Sequence, residues 1–302
     1  MGIRLVYGLK TDDASYLDAF YPARRLREAA ASSGLDYDAT VLPPWAPMDA
    51  ALAFCAGHAA LVRGDAPLAL YEALESICPV VVNCAAAVAL AGDKAASAVH
   101  FASIGARHPT TAIVDPGSDE PPLEPPFVLK PRFGKMGRGV ELVESAEAWR
   151  AMARGLRDGD CSEAGGFVSQ DYVAQDYVAA SRGRDLRFFF ARFAGMDGAD
   201  GEVPPCVTVL RTGPGLASNA HAGGSMGPYA APDGLADEAR RVFADSGLVY
   251  GTVDFLFADE PGSSFYVCET NACPGFEAFE ACTGLDAAGA ILGCVSYAGG
   301  TR

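Results

Sequence analysis

Residues 127–131 read Phe-Val-Leu-Lys-Pro, and Arg-Phe-Gly-Lys-Met-Gly-Arg-Gly follows over 132–139. A strand ending in Lys130 holds a cation at a fixed place. Gly134, Gly137 and Gly139 would let a hairpin bring bare backbone N–H groups close to phosphates. A solvated lysine before an ordinary flexible hairpin would carry the same pattern. Farther along, Asp254 stands inside Gly-Thr-Val-Asp-Phe-Leu, and Glu269 and Asn271 stand inside Val-Cys-Glu-Thr-Asn. Glu269 and Asn271 are two apart on an expected strand, so they share a face. Asp254 lies mid-run in an apolar strand, where an unpaired carboxylate is costly. Two carboxylates and a carboxamide are hard oxygen ligands suited to Mg²⁺, which also takes substrate phosphates. A hydrogen-bonded polar cluster would account for the same residues.

The elements that must position these groups follow from the apolar pattern. Strands are expected at 3–7, 38–42, 59–62 and 80–82, with a helix from Pro22 to Gly34 and another over 66–77. Strand and helix alternate through the first 85 residues, which implies a small α/β unit with a parallel sheet. An Ala-rich helical stretch over 85–105 is broken at 92–94, with Asp93 as N-cap of the second piece. Residues 116–126 read as an exposed connection. Strands are expected at 127–130, 140–143, 167–173, 186–193, 249–257 and 265–270. Helices are expected from Ser145 to about 156, at 237–246 and at 287–297. Gln-Asp-Tyr-Val occurs at 170–173 and again at 175–178, too short a duplication to be an architectural repeat.

Of 302 residues, half are apolar and a fifth charged, the balance of a globular chain with a sizeable core. The net charge of −15 argues against general binding to nucleic acid or anionic membranes, which needs clustered cations. No apolar run reaches the ~20 residues of a bilayer span, and the opening residues turn polar too quickly for a secretory signal. Nine cysteines with no Cys-x-x-Cys suggest reduced, buried thiols in a cytoplasmic protein. Several reaction classes fail on spacing. Gly-Gly-Ser225-Met-Gly resembles a nucleophile elbow, but no histidine follows it. Val140 stands where a Walker loop needs lysine, and the dinucleotide glycine pattern is missing.

Taken together, the spaced motifs resemble the ATP-grasp superfamily, specifically the RimK-like carboxylate–amine ligases, over nearly the whole chain. Arg24–Ala30 resembles the family's first helix, and Gly92-Asp-Lys94 its lysine ahead of the ATP-grasp region. Residues 128–140 resemble its phosphate-covering hairpin, and Gln175-Asp-Tyr-Val178 with Asp185-Leu-Arg187 its adenine hinge and ribose-side acid. Ser218–Gly224 resembles the substrate-side loop, and residues 268–276 the metal strand and following turn. Ala217 and Ala222 stand where the family commonly has arginines, so this loop carries two fewer cations.

The resemblance implies an α/β protein with an ATP-grasp fold and an N-terminal Rossmann-like domain. The implied division is 1–86 for the N-terminal domain, 87–172 for the central subdomain with the glycine loop, and 173–302 for the metal- and substrate-bearing subdomain. ATP would be held by Lys94, Lys130, Gly134, Gly137, Gly139, Gln175, Asp176, Tyr177, Val178, Asp185 and Asn219. Asp171 rivals Asp176 as hinge acid; Asp176 precedes Asp185 by nine residues, as in the family. Mg²⁺, with Mn²⁺ as the alternative, would sit on Asp254, Glu269 and Asn271. Arg187 and Arg211 would receive the carboxylate or its acyl phosphate, with Lys130 serving catalysis. The implied partners are small-molecule or peptide carboxylates and amines, with a protein tail as a further acceptor class. No nucleic acid or membrane partner is implied, and a homo-oligomer is. The implied reaction is amide formation through an acyl phosphate; a kinase on the same fold and a non-catalytic nucleotide-binding regulator are the rivals.

Overall fold

The computed structural model describes residues 2–134, 137–158, 171–192, 207–216, 218 and 223–300. Short apolar runs at the N-terminus form a parallel sheet from Ile3–Gly8 (β1), Tyr37–Leu42 (β2), Ala59–Gly64 (β3) and Val80–Val82 (β4), in the order β2-β1-β3-β4. Parallel strands need crossovers. Tyr16–Ala19 (α1), Tyr21–Ser32 (α2), Asp49–Cys55 (α3) and Leu68–Glu75 (α4) supply them. Pro22 occupies the first turn of α2, where its missing N–H costs no helical bond. Two helices then lead out of this sheet, Ala85–Gly92 (α5) and Lys94–Ser103 (α6). The Asp93 carboxylate accepts from the N–H groups of Ala95 and Ala96 at 2.9 and 3.2 Å, capping α6 as its residue type suggests.

A second sheet is antiparallel: Thr111–Ile113 (β5), Phe127–Pro131 (β6), Glu141–Val143 (β7) and Tyr172–Asp176 (β8), ordered β5-β8-β6-β7. Ala146–Asp158 (α7) covers one face, and Trp149 packs its ring 6.0 Å from that of Phe127. The strand expected at 167–173 partly lies outside the described residues; the observed strand begins at Tyr172. Pairing decides this, because Val173 must stand opposite Lys130 and Gln175 opposite Thr111.

The third sheet is also antiparallel and has five strands: Arg184–Ala191 (β9), Val207–Thr212 (β10), Ser225–Pro228 (β11), Tyr250–Phe257 (β12) and Phe265–Asn271 (β13), ordered β11-β10-β9-β12-β13. Both faces of its centre are covered, which explains the near-continuous apolar runs of β9 and β12. Leu186, Phe188, Phe190, Val253, Phe255 and Val267 pack with Asp233–Asp245 (α8) through Leu235, Ala239, Val242 and Phe243. On the other face Phe189, Ala191, Val209 and Tyr250 join Ile291 and Leu292 of Ala287–Gly300 (α10), and the same core reaches Ile3, Leu5 and Leu61 of the parallel sheet. Glu277–Thr283 (α9) precedes α10. Strands β10 and β11 were hidden by the Gly/Pro-rich stretch between them; Pro228 is tolerated because β11 is an edge. Among the described residues no single helix is long and apolar enough to cross a membrane.

Candidate functional site

The site is built on one face of the third sheet. Cross-strand register places Arg187 of β9 opposite Asp254 of β12, and Asp254 opposite Glu269 of β13. Asp185 of β9 faces Arg211 of β10. Side chains alternate along a strand, so Asp185 and Arg187 share this face. Glu269 joins it through an irregularity. Asp254 pairs with Glu269 but Phe255 pairs with Val267, so Cys268 is an extra residue in β13. With unbroken pairing Cys268 would face Asp254, and Glu269 would face Val253, a residue of the apolar core beneath α8. The bulge turns Glu269 toward Asp254 instead.

The charges on this face are tightly partnered. Arg187 donates through Nε and Nη2 to the two carboxylate oxygens of Asp254, at 2.8 and 2.6 Å. Arg211 donates to both oxygens of Asp185 at 2.6 and 2.8 Å, and its Nη2 also reaches Asp254 at 2.7 Å. The Ser218 hydroxyl donates to Asp185. Burial alone would raise the pKa of Asp254; the guanidinium groups of Arg187 and Arg211 outweigh it and hold the carboxyl at about 2. Glu269 moves the other way. Desolvation in the cleft and the neighbouring Asp254 charge push it up, while Lys94, Arg187 and Lys130 pull against that shift. Glu269 Oε1 also lies 3.9 Å from Arg187 Nη2.

The cations opposite come from two other elements. Lys130, at the end of β6, is buried and donates to Gln175 Oε1 at 2.7 Å; Gln175 Nε2 in turn donates to the Thr111 hydroxyl at 3.0 Å. Lys94, in the first turn of α6, donates through Nζ to the Gly134 carbonyl at 2.8 Å. Its backbone N–H donates to the Arg132 carbonyl at 3.2 Å, so Lys94 ties α6 to the start of the glycine loop. Desolvation lowers the Lys94 pKa, opposed by Glu269 and reinforced by Lys130. Gly137 and Gly139 have φ of 68° and 67°, the left-handed conformation that glycine adopts without steric cost. Residues 135 and 136 lie outside the described residues.

The hinge residues Asp176, Tyr177 and Val178 line a cavity of about 700 Å³ together with Thr110, Ala258 and Tyr266. Asp176 also accepts from the Thr110 N–H at 3.1 Å. Asp171 lies elsewhere: its backbone carbonyl accepts from Arg132 N–H at 2.8 Å. Asn219, expected near the triphosphate, lies outside the described residues, as do Ala217 and Ala222. Ser225 sits on the edge strand β11, its hydroxyl 2.7 Å from that of Thr212.

A divalent cation can be tested against the donor set. Among the described residues no three of His, Cys, Asp or Glu come together as a metal cluster. Asp254 and Glu269 supply two facing carboxyls, and Asn271 a carboxamide two residues along β13. Asn271 Oδ1 accepts from the Cys273 N–H at 2.9 Å, and a carboxamide oxygen has a second lone pair. Two carboxyls opposite each other on neighbouring strands, with the charge of Asp254 pushing the Glu269 pKa up, fit a cation that would offset that repulsion. Water and phosphate oxygens complete such sites when the ion is Mg²⁺.

The three-sheet architecture, with Lys130 of one antiparallel sheet beside Glu269 of the other, is that of an ATP-grasp protein. The chain belongs to the RimK-like ATP-grasp family, whose model matches residues 115–295. It is 28% identical over 242 residues to a probable alpha-L-glutamate ligase of Rhodopirellula baltica, covering 77% of this chain and 53% of that relative. It therefore spans about half the length of that curated relative. A probable alpha-L-glutamate ligase of Xanthomonas campestris pv. campestris is 29% identical, over 76% of this chain and 72% of the relative. Among solved structures, a RimK domain ATP-grasp protein from Sphaerobacter thermophilus matches with a TM-score of 0.63, 22% identity and coverage of 95% and 97%. The ATP complex of D-alanine–D-alanine ligase from Bacillus anthracis matches with a TM-score of 0.66, 16% identity and coverage of 100% and 98%.

Proposed function

We propose that the chain is an ATP-dependent carboxylate–amine ligase that forms an amide or peptide bond through an acyl phosphate, releasing ADP and phosphate. The observation that carries this reading is the row Arg187–Asp254–Glu269, with Lys94 and Lys130 close enough to act on the Glu269 charge. Acidic oxygen ligands and cations converge on one cleft, as transfer of a charged phosphoryl group requires.

Each residue has a task in this reading. Asp176, Tyr177 and Val178 border the base, and Asp185 holds the ribose. Lys94, Lys130 and the backbone around Gly134, Gly137 and Gly139 stabilise negative charge on the transferring γ-phosphoryl group. Asp254, Glu269 and Asn271 would hold Mg²⁺, or Mn²⁺ in its place, which would supply positive charge against the phosphates. Arg187 and Arg211 orient the substrate carboxylate, which attacks the γ-phosphorus to give the acyl phosphate. The amine then attacks the acyl carbon and phosphate leaves. The glycine loop keeps water from the acyl phosphate. Arg211 now pairs with Asp185 and Asp254, so substrate carboxylate would compete for the same guanidinium.

The names of the relatives support an amino-acid substrate on at least one side of the bond. An amino acid, a peptide or a protein tail fits as the other partner. Incubation with ATP, Mg²⁺, hydroxylamine and pooled amino acids or short acidic peptides tests the reading. Hydroxamate formed in step with ADP supports a ligase. ADP without hydroxamate points to phosphorylation of a hydroxyl and overturns the acyl-phosphate step.

A further inference from the structure

Two buried polar side chains of the N-terminal sheet reach the strands that carry the proposed cation ligands. Arg63, the penultimate residue of β3, is 1% exposed. Its Nη1 donates to the Tyr250 hydroxyl at 3.0 Å and its Nη2 to the Pro274 carbonyl at 2.7 Å. The rings of Phe276, Tyr250 and Tyr7 surround the guanidinium at 5.2, 5.6 and 6.0 Å. Among the described residues no carboxylate forms an ion pair with it. Asn83, the residue after β4, is equally buried. Its Nδ2 donates to the carbonyls of Tyr250 and Ala272 at 2.9 and 3.0 Å. Its Oδ1 accepts from the N–H groups of Val249 and Tyr250 at 2.7 and 3.2 Å.

The two side chains therefore grip the same two places. One is the entrance to β12, at Val249 and Tyr250, just ahead of Asp254. The other is the exit from β13, at Ala272 and Pro274, just past Asn271. Asn271 lies between the grip and Glu269, and its own Oδ1 is oriented by the Cys273 N–H. Gly64, next to Arg63, donates its N–H to Cys273 Sγ at 3.3 Å, a third tie to the same turn. A buried cation without a carboxylate partner is a costly way to fill space. A guanidinium fork that joins a hydroxyl on one strand to a carbonyl beyond the next fixes their relative placement, which an apolar side chain could not do.

We propose that Arg63 and Asn83 are positioning residues for the cation site: they hold the entrance of β12 against the exit of β13 and so set Asn271 relative to Asp254 and Glu269. The proposal rests on the reading of those three residues as cation ligands. In it, the parallel sheet contributes no ligand and nonetheless governs metal affinity. Outer-shell residues of this kind typically change metal affinity by about 10- to 100-fold.

The test is Mn²⁺ binding to the full chain without nucleotide, by titration calorimetry or the paramagnetic signal of free Mn²⁺, alongside melting temperature. The proteins are wild type, Arg63→Lys, Asn83→Ala, Tyr250→Phe, Glu269→Gln and Leu74→Ala. Leu74 is fully buried in the N-terminal domain away from the grip, so its truncation destabilises without touching it. Arg63→Lys and Asn83→Ala are expected to weaken Mn²⁺ binding by about 10-fold or more. Leu74→Ala should stay within about twofold at a comparable loss of melting temperature. Tyr250→Phe deletes one hydroxyl acceptor and keeps the falsifiable lane if Arg63→Lys does not fold; a weakening of about threefold is expected. Wild-type affinity in the folded grip variants, or an equal loss in Leu74→Ala, overturns the proposal. If wild type binds Mn²⁺ no better than Glu269→Gln, the ligand assignment itself falls, which separates the two failures.

Discussion

Glu269 stands opposite Asp254 because Cys268 is an extra residue in its strand. The pairing on either side of the bulge differs by one position, and that single step moves a carboxylate from the apolar core to the cleft. What matters is that Cys268 stays out of the pairing, and its thiol has no part in that. Cys268→Ala is expected to keep turnover within about fivefold. Deletion of Cys268 removes the bulge and makes Glu269 the residue after Val267, still opposite Asp254, so it should keep more turnover than Glu269→Gln. Steady-state ADP release, with circular dichroism as a check on folding, measures both.

Glu269→Gln keeps the shape of the side chain and removes its charge. ATP turnover at saturating Mg²⁺ is expected to fall by at least about 100-fold while the melting temperature holds. Full activity in this variant would remove Glu269 from the cation site.

Lys130 and Gln175 form a buried pair whose two members should fail differently. Lys130→Met removes a charge from the phosphate side, and kcat/KM should fall by about 100-fold. Gln175→Ala removes one hydrogen bond that orients Lys130, worth about 1 kcal/mol. Its effect should be about fivefold, mostly in KM for ATP. Initial rates over an ATP series separate the two.

Arg187 and Asp254 form a two-pronged buried pair. Arg187→Ala should cost about 3 kcal/mol, because it leaves a buried carboxylate with fewer partners. Adding Asp254→Asn should recover part of that loss. A double-mutant cycle by denaturant unfolding checks the coupling.

Asp93 caps α6 and receives the Arg132 fork at 2.8 and 2.7 Å. The Arg132 hydrogen bonds hold its pKa below the usual value, against desolvation and with help from the helix N–H groups. A depressed carboxylate stabilises the fold above its ordinary pKa of about 4, and that contribution fades as pH falls through the lowered folded value. Asp93→Ala should therefore cost about 1–2 kcal/mol near pH 7 and progressively less below about pH 4. Melting curves of both proteins from pH 3 to 7 decide it.

Much of this protein is legible from short-range pattern. Asp93 as a cap, the N-terminal strands and the apolar strand around Asp254 follow from periodicity and residue chemistry that act within a few positions. So does the pairing of Glu269 with Asn271 on one face. The spaced motifs also carried the family resemblance. Other features needed the fold. The bulge at Cys268 has no local signature, because an extra residue is defined only against a partner strand. Strands β10 and β11 exist through their neighbours, and β8 takes its place from β5 and β6. The engagement of Arg187 and Arg211 with Asp254 and Asp185 joins residues up to 67 positions apart. The grip of Arg63 and Asn83 on β12 and β13 spans still more. Local sequence sets which way a side chain points along its own strand; only tertiary packing decides what it meets there, since desolvation and charge pairing depend on neighbours brought from elsewhere in the chain.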